Sequence, residues 1–299
     1  MEKLFQAIYG GILYGSIYGL MAIGLTLIWG ALRMLNMAHG GLYLAGGYLA
    51  WSAINFLKPL GLPPAVGGLV AIAVGITAAA LVGLLIQVLF INRVVGRSSF
   101  FNAAMIATAG IAIVIDSLAL LIYGPRVKQM PPIVTGQFKL LGVVIQYQGL
   151  VIIAVAGISL VLLSLFLRKS RSGLAIQAVS QQIDAAMLMG IPVVLIFTTV
   201  MVISAALAGL AGSLLSSVFY ILPGAGFNPM VKALVVTIFG GLGSVKGTVW
   251  AAYVIGLLEA FLQVYLGASW ALPGLFLFMI LMLVIRPSGL FGLGEVQRL

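Results

Sequence analysis

Cysteine is missing from this chain and acid is scarce, with five Asp and Glu and a single histidine among 299 residues. Without cysteine there is no disulfide, no thiolate metal site and no cysteine nucleophile. The carboxylates are scattered, so none has a neighbour for paired acid–base work, and no G-x-x-x-x-G-K-[ST] or H-E-x-x-H run occurs. Gly243-Ser-Val-Lys-Gly-Thr248 has the composition of a phosphate loop, but its order is wrong and no strand precedes it. Nothing here predicts an enzyme, a metal site or a cofactor bound by this chain. Any energy source must be an ion gradient or another subunit.

Charge of either sign is sparse. Only 7% of residues are charged, against roughly 25% in an ordinary soluble domain, while 63% are hydrophobic and mean hydropathy is +1.26. Uncharged windows longer than the ~20 residues that cross a bilayer recur along the chain. Lipid offers the backbone no hydrogen-bond partner, and nothing shows the ~10-residue alternation of a barrel, so the class is an all-α, polytopic helical membrane protein. The net charge of +10 then reads as topogenic rather than as a nucleic-acid footprint. The uncharged start, Leu4 to Leu32, lacks a small-residue cleavage pattern and reads as a first span, not a signal peptide.

Marking every charge predicts further spans at 34–57, 59–92, 98–123, 140–167, 191–222, 248–266 and 270–285, making eight in all. A ninth apolar stretch, 232–247, is too short to cross unaided and reads as a short or re-entrant element. The clusters Arg93 with Arg97, and Arg168, Lys169 with Arg171, mark the cytoplasmic side. Threading from them places nine positives inside, with Arg33, Lys246, Arg286 and Arg298, against six outside: Lys3, Lys58, Arg126, Lys128, Lys139 and Lys232. The N-terminus falls outside and the C-terminus inside, provided that 232–247 counts as one crossing. The loop Gly124 to Lys139, with Pro125, Pro131 and Pro132, reads as an ordered, turn-rich outer cap.

Two features stand out from the apolar background. Arg168 to Gly190 is polar and helix-prone, with an apolar stripe at Ile176, Val179, Ile183 and Met187 and a polar face at Gln177, Gln181 and Asp184. It is either a helix lying at the lipid headgroups or a docking helix for a soluble partner. The second feature is a pair of Gly-rich interruptions, Trp29 to Gly41 and Phe239 to Gly247, each following a Thr-containing apolar helix at Thr26 or Thr237. Matching interruptions are either ordinary turns or a broken-helix binding region whose freed backbone groups meet a polar solute. Gly11, Gly15 and Gly19, and Ala205, Ala208, Gly209 and Gly212, form small-residue ladders for close helix contact. Asp116, Glu259 and His39 are intramembrane ionisable groups that either line an aqueous path or neutralise a neighbour. An ion-coupled secondary transporter or channel would use them as coupling groups.

Five blocks, Gly24 to Ala50, Ser170 to Ile191, Ala205 to Gly212, Phe227 to Ala260 and Arg286 to Gly292, resemble the permease subunits of branched-chain amino acid ABC transporters, the LivH type. The resemblance runs the length of the chain in the same order. It implies one transmembrane permease domain over 1–299 with a cytoplasmic coupling loop at 168–190. It also implies a bacterial inner-membrane importer for branched-chain or other small aliphatic amino acids, in a family whose relatives also import urea and short amides. The implied partners are a second permease subunit, two cytoplasmic ATPases that use the ATP and Mg, and a periplasmic solute-binding protein, all within membrane lipid. The implied ATPase-coupling residues are Arg171, Gly173, Asp184, Ala185 and Gly190, to which the apolar stripe adds Ile183. Asn36, Ala38, His39 and Gly40 match the family's Asn-Phe-Ala-His-Gly block, with Met37 where Phe is usual. Read as a broken-helix region, the two interruptions give a translocation pathway of Asn36, His39, Gly40, Gly41, Thr237, Gly240, Gly241 and Gly243. Gly41 and Asn92 stand where acids are common, and Asp116 is an added acid.

Overall fold

Apolar sequence in lipid must satisfy its backbone within each segment, and the chain answers with helices. A computed structural model describes residues 1–96, 99–140, 142–286 and 288–292. Arg97 and Arg298, counted on the cytoplasmic side above, lie outside the described residues, as does the C-terminus. The helices are α1 Glu2–Leu32, α2 His39–Leu57, α3 Pro64–Ile86, α4 Asn92–Val94, α5 Phe100–Tyr123, α6 Tyr147–Lys169, α7 Arg171–Gln181, α8 Ile183–Leu188, α9 Val193–Leu215, α10 Phe227–Gly240, α11 Val245–Tyr265 and α12 Ala271–Ile285. A π turn at Gln87–Ile91 joins α3 to α4 in one rod.

Seven rods among the described residues are long and apolar enough to cross a membrane. The eighth expected span, α2, is not among them, because it begins at His39 with a glycine pair and carries two tyrosines, a serine and an asparagine. Residues 33–38 are non-helical, so α2 starts inside the bundle instead of at its surface. The short ninth element is α10, with 14 residues. The span expected from Leu140 begins instead at Tyr147. Residues before it form a hairpin, β1 Gln137–Leu140 and β2 Val143–Gln146, with Gln137 opposite Gln146. Four-residue strands are too short for alternation to reveal in sequence.

The bundle is built around α1, whose residues from Gly15 to Ile28 are buried without a break. The first small-residue ladder lets α1 touch α11: a Cβ on Gly256 would stand 2.5 Å from the Gly11 carbonyl oxygen. The second ladder brings α9 against α2 and α3, where Gly209 meets Gly46 and Ala79, and Gly212 meets the Tyr43 carbonyl. Both ladders therefore serve contacts within the chain. Helices in lipid gain little from apolar burial, so this close backbone packing supplies much of their cohesion. α5 and α12 lie outermost, exposing residues such as Leu121 and Val284. The N-terminus and hairpin mark one face of the bundle, and α7 with α8 marks the other. The cap on the hairpin face is pinned by Gln148, which accepts from the Ile133 N–H at 2.9 Å and donates to Ser217 Oγ at 2.6 Å.

Candidate functional site

The first interruption and the helix that precedes the second both close on the middle of α1. His39, at the first position of α2, is fully buried and places Nε2 3.0 Å from the Met21 carbonyl oxygen. A carbonyl only accepts, so Nε2 carries the hydrogen, and Nδ1 is left buried without a partner among the described residues. Thr237 of α10 donates to the next carbonyl, that of Ala22, at 3.0 Å. Asn36 Oδ1 accepts the Ala38 N–H at 3.0 Å and so organises the start of α2, while the Met37 N–H donates to Thr108 Oγ1 at 3.1 Å.

Gly40 is where the two short helices meet. A Cβ there would stand 2.5 Å from the carbonyl oxygen of Gly226, the residue just before α10, so the two backbones touch at their helix N-termini. Gly41 packs on Ile115 of α5. The second interruption lies further toward the α7 face. Gly240 abuts Thr248, 2.7 Å from a Cβ to Cα, and Gly241 is pressed against Gly292. The segment after α12 covers the end of α10, with the Leu290 N–H donating to the Phe239 carbonyl at 2.8 Å. Thr26 and Thr248 join their hydroxyls at 2.7 Å beneath it. Gly243 is exposed and lies beside Gly30 of α1. The two interruptions thus share α1 as a common support at two depths. Asn36, His39, Gly40, Gly41, Thr237, Gly240 and Gly241 are all buried.

The polar stretch at 168–190 forms two helices, not one, because Gln182 is extended between α7 and α8. Ser170 caps α7 by accepting the Gly173 N–H at 2.9 Å. Gly173 lets α7 fold tightly back on the end of α6. The apolar stripe divides. Ile176 and Val179 are buried in the bundle itself, while Met187 is exposed beside Leu188, 89% exposed, and Met189, 82% exposed. Arg171, Asp184 and Ala185 are exposed, Ile183 is half-buried, and Gly190 ends the stretch at φ 79°. Arg33, the one non-glycine residue with positive φ among those described, caps α1 and donates from Nη2 to the Ser180 carbonyl of α7 at 3.1 Å.

Sequence reasoning missed one feature. Lys232, assigned to an outer loop, lies in α10 and forms an ion pair of 2.5 Å with Glu259 of α11. Gln263 donates to the same Glu259 oxygen at 2.9 Å, Tyr14 donates to Gln263 at 3.0 Å, and Lys232 donates to the Tyr18 hydroxyl at 3.0 Å. A basic residue within an apolar helix and an acid 27 positions later were the available signal. The three ionisable groups named from sequence are not brought together. His39 bonds α1 backbone, Glu259 bonds Lys232, and Asp116 of α5 has a buried Oδ1 with no hydrogen-bond partner among the described residues.

The chain matches the family model described as branched-chain amino acid transport system / permease component over residues 7–285. It is 31% identical to the high-affinity branched-chain amino acid transport system permease protein BraD of Pseudomonas aeruginosa, over 98% of this chain and 97% of that one. It is 30% identical to the corresponding LivH protein of Escherichia coli, with the same coverage of both chains. A probable LivH permease of Methanocaldococcus jannaschii is 29% identical over 95% of this chain and 91% of its own length.

Proposed function

The chain belongs to the family of permease components of branched-chain amino acid transport systems, and we propose that it is the membrane subunit of an ATP-driven importer. Its work is carriage, not bond chemistry. Branched-chain and other small aliphatic amino acids are its solutes, and it acts by alternating access as one transmembrane domain. Its partners are a second permease subunit, two ATPases that bind the ATP and Mg, and a periplasmic solute-binding protein. The hairpin face and N-terminus lie in the periplasm of an inner membrane, and α7, α8 and the C-terminus lie in the cytoplasm. Charge supports that orientation: the α7 face carries Arg33, Arg93, Arg168, Lys169, Arg171, Lys246 and Arg286, while the hairpin face keeps Lys3, Lys58, Arg126, Lys128 and Lys139 once Lys232 is paired inside.

One observation carries the mechanical part of this reading. α1 is held by Arg33 to the Ser180 carbonyl of α7, by Thr237 to α10 and by His39 to α2. A displacement of α7 and α8 by an ATPase seated on Leu188, Met189, Asp184 and Ala185 is therefore delivered to the support that both interruptions share. Parting the His39 and Thr237 contacts would open Asn36 to Gly41 and Gly240 to Gly243 to the solute. The experiment is uptake of labelled leucine, isoleucine and valine by cells lacking this chain, with and without its return on a plasmid. Restored, ATP-dependent uptake is expected. Uptake that is unchanged by loss of the chain, or that follows an ion gradient after ATP is depleted, contradicts the reading.

A further inference from the structure

The bundle holds an intramembrane ion pair to which no task is yet assigned. Glu259 is fully buried, and among the described residues its Oε2 has no hydrogen-bond partner while Oε1 takes both Lys232 and Gln263. An ionised carboxylate has acceptor positions on both oxygens, so Oε2 is open to a further donor. Lys232 is not sealed in, since its side chain is 20% exposed. Its ammonium also stands 5.3 Å from the centre of the Tyr18 ring.

The pair lies one hydrogen bond beneath an open cleft. Gln263 and Tyr14 line a cavity of about 510 Å³ on the hairpin face, together with Gln6, Tyr9 and Gln146. Gln146 also lines a second cavity of about 550 Å³, so the two adjoin around the hairpin base. Amides and phenols supply most of the uncharged polar lining, and Glu2 is the one charged side chain among the lining residues, so a solute carboxylate meets no cationic partner in either cavity.

We propose that Lys232 and Glu259 form a station for the zwitterionic head of an amino acid, whose ammonium takes the Glu259 carboxylate and whose carboxylate takes the Lys232 ammonium. The proposal rests on the import reading above. A zwitterion leaving water must have both charges compensated at once. Exchanging an internal pair of opposite charges for two solute contacts does this without a net change of charge inside the membrane. Glu259 Oε2 offers the incoming ammonium a free acceptor before the internal pair has parted. A solute with one charge can satisfy only one member and strands the other.

The test uses the assembled complex of this chain with its second permease and ATPases in proteoliposomes, supplied with leucine-loaded binding protein. Lys232→Met and Glu259→Gln are each expected to lower uptake by roughly tenfold or more, as is the double variant K232M/E259Q. A purely structural pair predicts the opposite for the double variant, which leaves no stranded charge and should recover. Thermal melting of the wild-type complex, without binding protein, supplies a readout that needs no variant to fold. L-leucine is expected to raise the melting midpoint, while isocaproate, which lacks the ammonium, and isoamylamine, which lacks the carboxylate, are not. Full uptake by an assembled double variant, equal shifts from the three compounds, or no shift from leucine would overturn the station alone. Absence of ATP-driven uptake by the wild-type complex would overturn the import reading itself.

Discussion

Thr237 on α10 hydrogen-bonds the Ala22 carbonyl at 3.0 Å, one residue along α1 from the Met21 carbonyl that His39 holds. Two helices from opposite halves of the chain are thus fastened to neighbouring carbonyls of one central helix. The Thr237 hydroxyl has a single hydrogen and also faces the Ala233 carbonyl at 2.8 Å, so the contact to α1 is shared and open to exchange. Thr237→Val keeps the shape and removes the hydroxyl. About 1 kcal/mol of stability should go with it, leaving an assembled complex with altered transport. Melting temperature and leucine uptake measured on one preparation check this, and unchanged uptake would exclude a role for the contact in the cycle.

The contact between Gly40 and Gly226 makes a different forecast from the one that the sequence suggests. As a cavity glycine, Gly40 would tolerate a small side chain. As a backbone contact, even alanine would push a Cβ to 2.5 Å from a carbonyl oxygen. Gly40→Ala should therefore destabilise the protein by ~1–3 kcal/mol and lower its yield in the membrane. Gly110→Ala on α5, where nothing lies within 4 Å, serves as the control and should express normally. Equal yields of the two variants would contradict the packing described.

Docking on the α7 face separates by burial. Ala185→Arg and Leu188→Asp lie on exposed positions and should abolish solute-stimulated ATP hydrolysis while leaving insertion intact. Ile176→Asp, by contrast, places a charge in the bundle and should prevent stable insertion. Wild-type ATP hydrolysis by both exposed variants would exclude α8 as the ATPase seat.

Arg33 separates stability from coupling. Its φ of 53° is unfavourable for a side-chain-bearing residue by roughly 1–2 kcal/mol, and glycine removes that penalty. Arg33→Gly also deletes the bond to the Ser180 carbonyl. The variant should melt at the same temperature or higher yet transport more slowly per ATP hydrolysed. A variant that is both as stable and as well coupled as wild type would show that this link carries no motion.

Much of this was legible before any coordinates. Sparse charge delimited the rods, and glycine clusters located both interruptions, because each signal is local. The direction in which a stripe faces is not local. Ile176 and Val179 have the spacing of an amphipathic helix whether the bundle or a partner covers them, and only tertiary packing turned them inward. Lys232 and Glu259 were hidden for a related reason. Each alone resembles a loop charge or a stray acid, and their pairing depends on α10 stopping at Gly240 and α11 returning antiparallel beside it. The hairpin at 137–146 was lost to its brevity.

The most direct measurement of the central claim is leucine accumulation in proteoliposomes that contain this chain, its second permease and its ATPases, with binding protein on the hairpin face. ATP is supplied on the α7 face in one arm and replaced by a sodium or proton gradient in the other. The account predicts accumulation with ATP alone, absent without binding protein and insensitive to dissipation of either gradient. Accumulation driven by a gradient without ATP, or none in the presence of ATP and loaded binding protein, would contradict it.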